Sequence, residues 1–503
     1  MPNERVLLIG LDGAPPDLIF KWADQGLLPN IAGLMAKGAY GPIRSTIPPM
    51  TCPAWTSSVT GVDVHKHGIY DFFLSVDFKR KRMTFADSRK RKSEALWSLL
   101  GASGKRSVVI NLPASYPPEK LNGAMVTGML TPSLRSQFTY PPGLRDELLG
   151  MGYRIDVGAT MLEKVLLFKR NPGAYVAEVL GVLEKRLEAA KYLMKELEWD
   201  LFLVVFVALD RVNHLFWRYV DKKHVAYDRR QARIFLPLLK RCYVEVDRAV
   251  GELVKEAGPG ANVIIYSDHG FRALNYFVLT NNFLRRKGFL RLTERAAVRP
   301  SITQELFLKL SWLIPPQWFA MFLQETGHLV RALGRRARGS SDVLSIFDVD
   351  PEGTLAYELG QFVHVNKELV KSEDERAEVR EAVLRALKEL YPLTRIMAYA
   401  REEVFGSKAN ELPDIVLLPK GHASARHTPT ARGGVMRKYD ERVNVPFLTW
   451  CGDHALYGTL IMAGPDVPAI GYFKGARIMD ITPTVLKLLR EEVPSYMDGR
   501  SLL

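Results

Sequence analysis

Short apolar segments alternate with longer segments of helical character along most of this 503-residue chain. The segments that predict strands are residues 6–11, 107–111, 201–209, 262–267, 414–418 and 459–463. Residues 174–197 and 373–390 are rich in Ala, Leu, Glu and Lys and predict long helices. Continuous apolar strands joined by helices are typical of parallel sheets that are covered on both faces. The alternation therefore predicts an α/β fold with a mostly parallel central sheet and helices on both faces.

The composition is that of a globular protein with a large core. With 47% hydrophobic and 25% charged residues, the chain can bury one core with insertions, or form two domains. Its cysteines, Cys52, Cys242 and Cys451, are odd in number and widely spaced, which argues against a disulfide framework and favours a reducing compartment. The amino terminus shows no signal-peptide pattern and runs directly into the first strand. We therefore expect a cytoplasmic protein.

The charge balance indicates anionic partners without identifying them. The 69 Lys and Arg residues against 55 Asp and Glu residues give a net charge of +14. Nucleic acid, acidic lipid headgroups and phosphorylated metabolites would all suit this charge. The sequence contains no nucleic-acid-binding motif, and its basic residues are dispersed rather than gathered on one helix. A basic run over residues 79–92 predicts a solvated loop.

Residues 301–338 differ from the rest of the chain. Two apolar stretches, 306–314 and 318–323, flank a Pro-Pro break and precede several arginines. Neither stretch approaches the ~20 residues that span a bilayer. The pattern predicts a helical insertion that either packs over the active site as a cap or lies on a membrane surface with its arginines towards the headgroups. The predicted organisation is a catalytic core formed by residues 1–290 and 345–503, with an insertion at 291–344.

Acidic and imidazole side chains follow the predicted strands. Asp12 comes after the first strand, Asp210 and His214 follow the third, and Asp268 with His269 closes the fourth. The spacing of Asp210 and His214 places both on one helix face, and zinc accepts oxygen and nitrogen ligands of these types. Each residue also has a structural alternative, since Asp is a favoured helix cap and a single histidine is often part of a core. Together they predict a metal centre at the carboxyl edge of the sheet.

Thr51 is the candidate nucleophile of this centre. A threonine hydroxyl is weakly nucleophilic at neutral pH, but a divalent cation favours its alkoxide, and a second ion can stabilise the leaving group. His454, which we expect in a turn before the last strand, is the natural final ligand of the second ion. Our hypothesis places Asp12, Thr51, Asp268 and His269 around the first ion, and Asp210, His214 and His454 around the second.

With these residues in place, the chain resembles the alkaline phosphatase superfamily, and most closely its type I phosphodiesterase/nucleotide pyrophosphatase branch. The motifs that carry the resemblance are Leu11-Asp12-Gly13, Thr51-Cys52-Pro53-Ala54-Trp55, His65-Lys66-His67-Gly68, Asp210 to His214, Ser267-Asp268-His269-Gly270, Gly452-Asp453-His454 and Met497-Asp498-Gly499-Arg500. The resemblance implies an alkaline phosphatase-like fold, two divalent metal ions, namely zinc, a covalent phosphoenzyme, and cleavage of phosphate esters or diesters. It also implies that His67, Asp480 and Asp498 belong to the framework.

Single residues distinguish this chain from neighbouring branches. In the sulfatase motif the first position is Cys or Ser and an arginine follows, whereas here these positions hold Thr51 and Trp55, and Cys52 is out of frame. Aromatic residues near Thr51, including Trp55, Tyr70 and Phe72, favour diesters over monoesters. The expected substrate is a small-molecule or lipid-linked phosphate ester. A phosphomonoesterase or phosphotransferase of the same superfamily, and a non-catalytic anion-binding or membrane-surface protein, remain the alternatives.

Overall fold

The computed structural model describes residues 4–158, 161–294, 346–425, 434–440 and 450–503. Its strands are β1 Arg5–Leu11, β2 Ala39–Arg44, β3 Phe73–Asp77, β4 Arg82–Phe85, β5 Ser107–Leu112, β6 Gly123–Thr127, β7 Thr139–Tyr140, β8 Leu201–Phe206, β9 Ala261–Tyr266, β10 Gly270–Ala273, β11 Tyr276–Val278, β12 Ala356–Leu359, β13 Phe362–Val365, β14 Ile396–Ala400, β15 Ile415–Pro419, β16 Ala423–Ala425, β17 Met436–Lys438, β18 Gly452–Ala455, β19 Tyr457–Ala463, β20 Gly471–Tyr472 and β21 Ala476–Arg477. Its helices are α1 Pro16–Asp24, α2 Pro29–Lys37, α3 Thr51–Thr60, α4 Val64–His67, α5 Leu96–Ala102, α6 Leu144–Gly150, α7 Met161–Arg170, α8 Pro172–Glu196, α9 Ala208–Val220, α10 Arg229–Ala257, α11 Thr280–Arg286, α12 Glu373–Thr394, α13 Arg401–Phe405 and α14 Ile481–Leu488.

The main sheet confirms the predicted fold class. Its strands follow the order β20-β2-β19-β9-β1-β8-β5-β6-β7, and β21 pairs with β2. The central strands β9, β1, β8, β5 and β6 are parallel, whereas β19 is antiparallel to both of its neighbours. Strand β1 is central and buried from residue 6 onward, with Leu7 and Ile9 in the hydrophobic core on one face and Val6 and Leu8 in the core on the other. Both faces are therefore covered, as an apolar parallel strand requires.

Two of the predicted strands differ from the structure. The segment predicted over 201–209 leaves the sheet at Phe206, because α9 begins at Ala208. The segment predicted over 414–418 corresponds to β15 Ile415–Pro419, which belongs to a separate four-stranded antiparallel sheet with the order β12-β13-β15-β14. Helix α12 packs on this sheet, which we call the accessory sheet, through a hydrophobic core of its own. An apolar strand alone does not specify which sheet it joins.

The predicted insertion lies outside the described residues, except for 291–294, so the division into core and insertion stays a prediction. Its proposed membrane-facing part, 301–338, lies wholly outside them. None of the helices in the described ranges has the length and hydropathy of a bilayer-spanning segment. The basic run over 79–92 includes the exposed end of the β3–β4 hairpin, where Lys79 and Arg80 pair with Glu368 and Asp77.

Gly10 in β1 allows α3 to approach the sheet closely. A Cβ atom built at Gly10 would lie 2.4 Å from Cη2 of Trp55, which is fully buried on α3. The Trp55 indole N–H donates to Oδ2 of Asp12 at 3.1 Å. The glycine therefore positions the tryptophan that holds Asp12, and with it the start of α3.

Gly10→Ala should destabilise the protein by about 1–3 kcal/mol, because overpacking forces Trp55 or the strand to move. Gly33→Ala is the matched control, since in the described part of the chain no atom lies within 4 Å of a Cβ at this helical position. Gly33→Ala should increase stability by up to ~1 kcal/mol through helix propensity. Chemical denaturation measures both variants, and equal changes in the unfolding free energy would show that the Gly10 contact is unimportant.

Candidate active site

Three adjacent parallel strands bring the predicted carboxylates to one edge of the sheet. Asp12 follows β1, Asp210 lies in the first turn of α9 after β8, and Asp268 follows β9. All three are buried, with exposed fractions of 2% or less. Because β9, β1 and β8 are neighbours and run in the same direction, their carboxyl ends meet.

Three histidines complete this cluster. His214 lies one turn after Asp210 in α9, and His269 follows Asp268 directly. His454 was predicted in a turn, but it lies in the short strand β18, where it pairs with Phe271 of β10. This antiparallel ribbon brings a residue from the end of the chain against the strand ends, an arrangement that local sequence does not reveal.

The imidazole Nε2 atoms face the carboxylate oxygens. His214 Nε2 lies 3.2 Å and His454 Nε2 3.5 Å from Oδ1 of Asp210. His269 Nε2 lies 3.2 Å from Oδ2 of Asp268 and 3.8 Å from Oδ1 of Asp12. The structure thus brings together all six predicted carboxylate and imidazole ligands.

The second ring nitrogen of each histidine, Nδ1, forms a hydrogen bond with a backbone carbonyl. The Nδ1 atoms of His214, His269 and His454 lie 2.9, 3.1 and 3.0 Å from the carbonyl oxygens of Gly452, Gly270 and Pro49. A carbonyl only accepts hydrogen bonds, so each Nδ1 carries the proton in the neutral ring and Nε2 presents its lone pair. The Nε2 atoms of His214 and His454 nevertheless lie only 3.3 Å apart. Two facing lone pairs at this separation fit a cation that both contact.

The carboxylates fit a cation as well. Asp12 Oδ1, Asp210 Oδ1 and Asp268 Oδ2 are buried and have no hydrogen-bond partner within the described ranges. Burial, together with the charges of neighbouring carboxylates, raises the pKa values of Asp12 and Asp268 well above the ordinary range. Burial also lowers the pKa values of His214 and His269, which keeps both imidazoles neutral. A bound cation would offset the buried negative charge and use the free lone pairs.

Ligand atoms within 4.8 Å of one another define two overlapping groups in the described residues. One contains Asp12, Asp268 and His269, and the other contains Asp210, His269 and His454. The first matches the predicted set apart from Thr51. In the second, His269 takes the place predicted for His214, although His214 remains in contact with Asp210. His269 thus lies between the two groups.

Thr51 lies beside this cluster. It is the first residue of α3, and it is 2% exposed. Its Oγ1 lies 3.4 Å from Nε2 of His269. The start of a helix concentrates free backbone N–H groups, which stabilise negative charge there.

The expected aromatic environment of Thr51 is only partly correct. Trp55 is buried against Gly10, and Tyr70 faces the accessory sheet through Phe362. A cavity of about 290 Å³ contains Thr51, Asp210, His214 and His454 in its walls. Its apolar wall, which we call the aromatic wall, is formed by Phe72, Phe73, Phe85, Met129, Leu130 and Trp450. The Trp450 ring stacks on His214 with a centroid separation of 3.7 Å.

The same cavity has a charged corner that sequence reasoning missed. Arg211 donates from Nε and Nη2 to both oxygens of Asp156, at 3.0 and 2.8 Å, and from Nη1 to Oδ2 of Asp210. Lys164 donates to Oδ2 of Asp156 at 2.8 Å. Burial raises the pKa of Asp156, but the Arg211 and Lys164 charges outweigh it and hold that pKa well below its usual range. Only the position of Arg211 next to Asp210 was visible in the sequence.

The residues expected to form the framework, namely His67, Asp480 and Asp498, do not line the cavity. His67 Nε2 contacts Ser57 Oγ on α3 at 2.9 Å, and His67 Nδ1 accepts from the backbone N–H of Ile69. The Asp480 carboxylate accepts from the backbone N–H groups of Arg477 and Arg500. His67 thus connects α4 to α3, and Asp480 connects the carboxyl-terminal segment to the end of β21.

Comparisons with known proteins agree on the fold. The family model for type I phosphodiesterase/nucleotide pyrophosphatase matches residues 6–442. Human ectonucleotide pyrophosphatase/phosphodiesterase 5 is similar at 12% identity with a TM-score of 0.54, over 98% of this chain and 97% of that chain. An inactive variant of the murine protein in complex with AMP aligns at 13% identity with a TM-score of 0.53, over 97% of this chain and 96% of that one. Phosphonoacetate hydrolase from Sinorhizobium meliloti, in complex with phosphonoformate, aligns at 16% identity with a TM-score of 0.55, over the same 97% and 96%. No curated protein sequence matches the chain.

Asp71 connects the cavity to the accessory sheet. Its carboxylate accepts from the backbone N–H of Phe72 at 2.6 Å and of Gln361 at 3.1 Å. Burial raises the pKa of Asp71 to about 6 from 3.8, although the backbone donors oppose this rise. The folded protein therefore binds a proton here under conditions in which the unfolded chain has released it.

Asp71→Asn should remove this pH dependence. Because the folded-state pKa lies above the unfolded-state value, the stabilisation is present below about pH 4 and is lost as the pH rises through about 6. The unfolding free energy of the wild type should therefore fall relative to that of Asp71→Asn by about 3 kcal/mol between about pH 4 and 7. Urea unfolding of both proteins in the presence of a chelator measures this difference. A difference that is independent of pH would contradict the assignment.

Proposed function

The chain belongs to the type I phosphodiesterase/nucleotide pyrophosphatase family of the alkaline phosphatase superfamily, and from this premise we propose that it cleaves phosphodiesters through a phosphothreonine intermediate on Thr51. It is accordingly a hydrolase that acts on phosphate esters. The observation that carries the proposal is the position of Thr51. Its hydroxyl is 3.4 Å from Nε2 of His269, and Thr51 lines the same cavity as Asp210, His214 and His454.

In this proposal the cluster holds two divalent ions. Asp12, Asp268 and His269 would hold the ion beside Thr51, and Asp210, His214 and His454 would hold the other. Zinc is our choice because buried neutral imidazoles and carboxylates are its usual ligands in catalytic sites. Bound divalent cations supply Lewis acidity, which favours the alkoxide of a hydroxyl and offsets the charge of a phosphate.

The chain's own residues position the reaction. The Thr51 hydroxyl loses its proton to solvent and Oγ1 forms a bond to phosphorus, while the bond from phosphorus to the leaving oxygen breaks and that oxygen departs with the electron pair. A water molecule later cleaves the phosphothreonine, which returns the threonine hydroxyl and releases the phosphate product. The N-terminal N–H groups of α3 favour negative charge at Thr51. The carbonyls that hold each Nδ1, and Arg211 on Oδ2 of Asp210, fix the orientation of the ligand atoms.

The cavity favours diesters over monoesters. Its aromatic wall offers apolar area to a second ester group, which a monoester lacks. A diester also reaches the site as a monoanion, so the reaction does not require extra cations around the phosphate itself.

The three free, buried cysteines support the cytoplasmic location that forms part of this proposal.

Thr51→Ala should reduce the turnover of bis(4-nitrophenyl) phosphate by at least ~1,000-fold, because it removes the oxygen that attacks phosphorus. Metal content and the unfolding midpoint should remain close to those of the wild type. Thr60→Ala is the matched control, since Thr60 is a buried threonine of the same helix whose hydroxyl donates to the Thr56 carbonyl. Wild-type turnover in Thr51→Ala, or an equal loss in Thr60→Ala, would refute the role of Thr51.

His269→Ala should lower the metal content from two ions per chain to one or none, because His269 belongs to both groups of ligand atoms. His224→Ala serves as the control, as His224 is buried but bonded to the backbone of Leu274 and Ala226. Elemental analysis after dialysis against a weak chelator measures the bound metal. Equal metal content in the wild type and His269→Ala would exclude His269 as a ligand.

A further inference from the structure

The charged corner of the active-site cavity consists of Asp156, Lys164 and Arg211. The side chains of Lys164 and Arg211 are each 9% exposed, and that of Asp156 is 19% exposed. All three line the cavity that contains Thr51, and among the described residues Lys164 and Arg211 are the only Lys or Arg side chains in its lining. A side chain that binds substrate beyond the reacting phosphate would occupy such a position.

The next step rests on the proposed function. Once metal ions occupy the site, the positive charges of this corner exceed its negative charges. Arg211 contacts Oδ2 of Asp210, but Oδ1 of Asp210 faces the Nε2 atoms of His214 and His454. A cation held at Oδ1 would share the charge of Asp210. Two buried cations, Lys164 and Arg211, would then remain with the single carboxylate of Asp156. Excess buried charge is costly unless a partner of opposite charge joins it.

Lys164 also has unused hydrogen-bonding capacity. Among the described residues, its ammonium group donates only to Asp156, at 2.8 Å, and two of its three donors have no protein partner. Arg211, in contrast, is held on both sides, by Asp156 and Asp210. The free donors and the excess positive charge therefore coincide at Lys164, inside a cavity of only about 290 Å³.

We propose that Lys164 binds an acidic group on the substrate, so that the preferred substrates are phosphodiesters with a carboxylate or a second phosphate close to the reacting phosphorus. A carboxylate and a phosphate both offer an anionic oxygen, which accepts a charge-assisted hydrogen bond from the buried ammonium group of Lys164. The aromatic wall contacts the apolar part of the substrate, and the charged corner contacts the acidic part. Lys164 thus determines specificity, and Thr51 carries out the reaction.

A matched series of 4-nitrophenyl diesters tests this proposal. The second ester group is propyl, 2-carboxyethyl or 2-phosphoethyl, and the measured quantity is the ratio of kcat/KM for each acidic diester to that for the propyl diester. The wild type should prefer at least one acidic diester over the propyl diester. Comparison of the 2-carboxyethyl and 2-phosphoethyl diesters shows whether the preferred acidic group is a carboxylate or a phosphate. Lys164→Met should lower that ratio by about 10- to 100-fold, mainly through KM, and Lys164→Arg should retain most of it.

Lys195→Met is the control for loss of one positive charge, since Lys195 is 61% exposed on α8 and pairs only loosely with Glu256. It should leave the ratio at the wild-type value. Absence of any preference in the wild type, or an unchanged ratio in Lys164→Met, would overturn the proposal while leaving the diesterase function intact. Failure of the wild type to cleave any of the three diesters would instead refute the diesterase function, and the proposal with it.

Discussion

The structure depends on three carboxylates buried against one another at the end of the central sheet. Asp12, Asp210 and Asp268 lie on neighbouring strand connections and are almost fully excluded from solvent. Burial and mutual repulsion raise the pKa values of Asp12 and Asp268, so the cluster is unfavourable without positive charge. A parallel sheet that places its strand ends together produces this concentration of charge, and the metal ions of the proposed function would offset it.

The surrounding structure keeps the ligand atoms in their orientations. Backbone carbonyls hold the Nδ1 atoms of His214, His269 and His454, so each ring presents Nε2 to the carboxylates. Trp55 and Arg211 hold the second oxygens of Asp12 and Asp210. The close contact between Trp55 and a glycine in the first strand shows how packing in the core sets the position of a carboxylate in the site.

The cavity combines apolar and charged side chains in its walls. Trp450 stacks on His214, and Lys164 and Arg211 both donate hydrogen bonds to Asp156. The accessory sheet contributes to the same cavity, since Gly360 and Gln361 line it close to Asp71. The connections that follow three central strands thus carry the buried carboxylates, whereas segments outside the central sheet form much of the cavity wall.

The sequence by itself determined the fold class, the strand ends that carry Asp12, Asp210 and Asp268, and the helical spacing of His214, because hydrophobic periodicity and motif spacing are local properties. Only the tertiary structure decided that β15 joins the accessory sheet, that Trp55 faces the core instead of the cavity, and that Lys164 reaches the active site. These features depend on which distant segments pack together, and no local pattern encodes that choice. The position of His454 lies between the two cases, since its residue type indicated a ligand but its place beside Asp210 results from the pairing of β18 with β10.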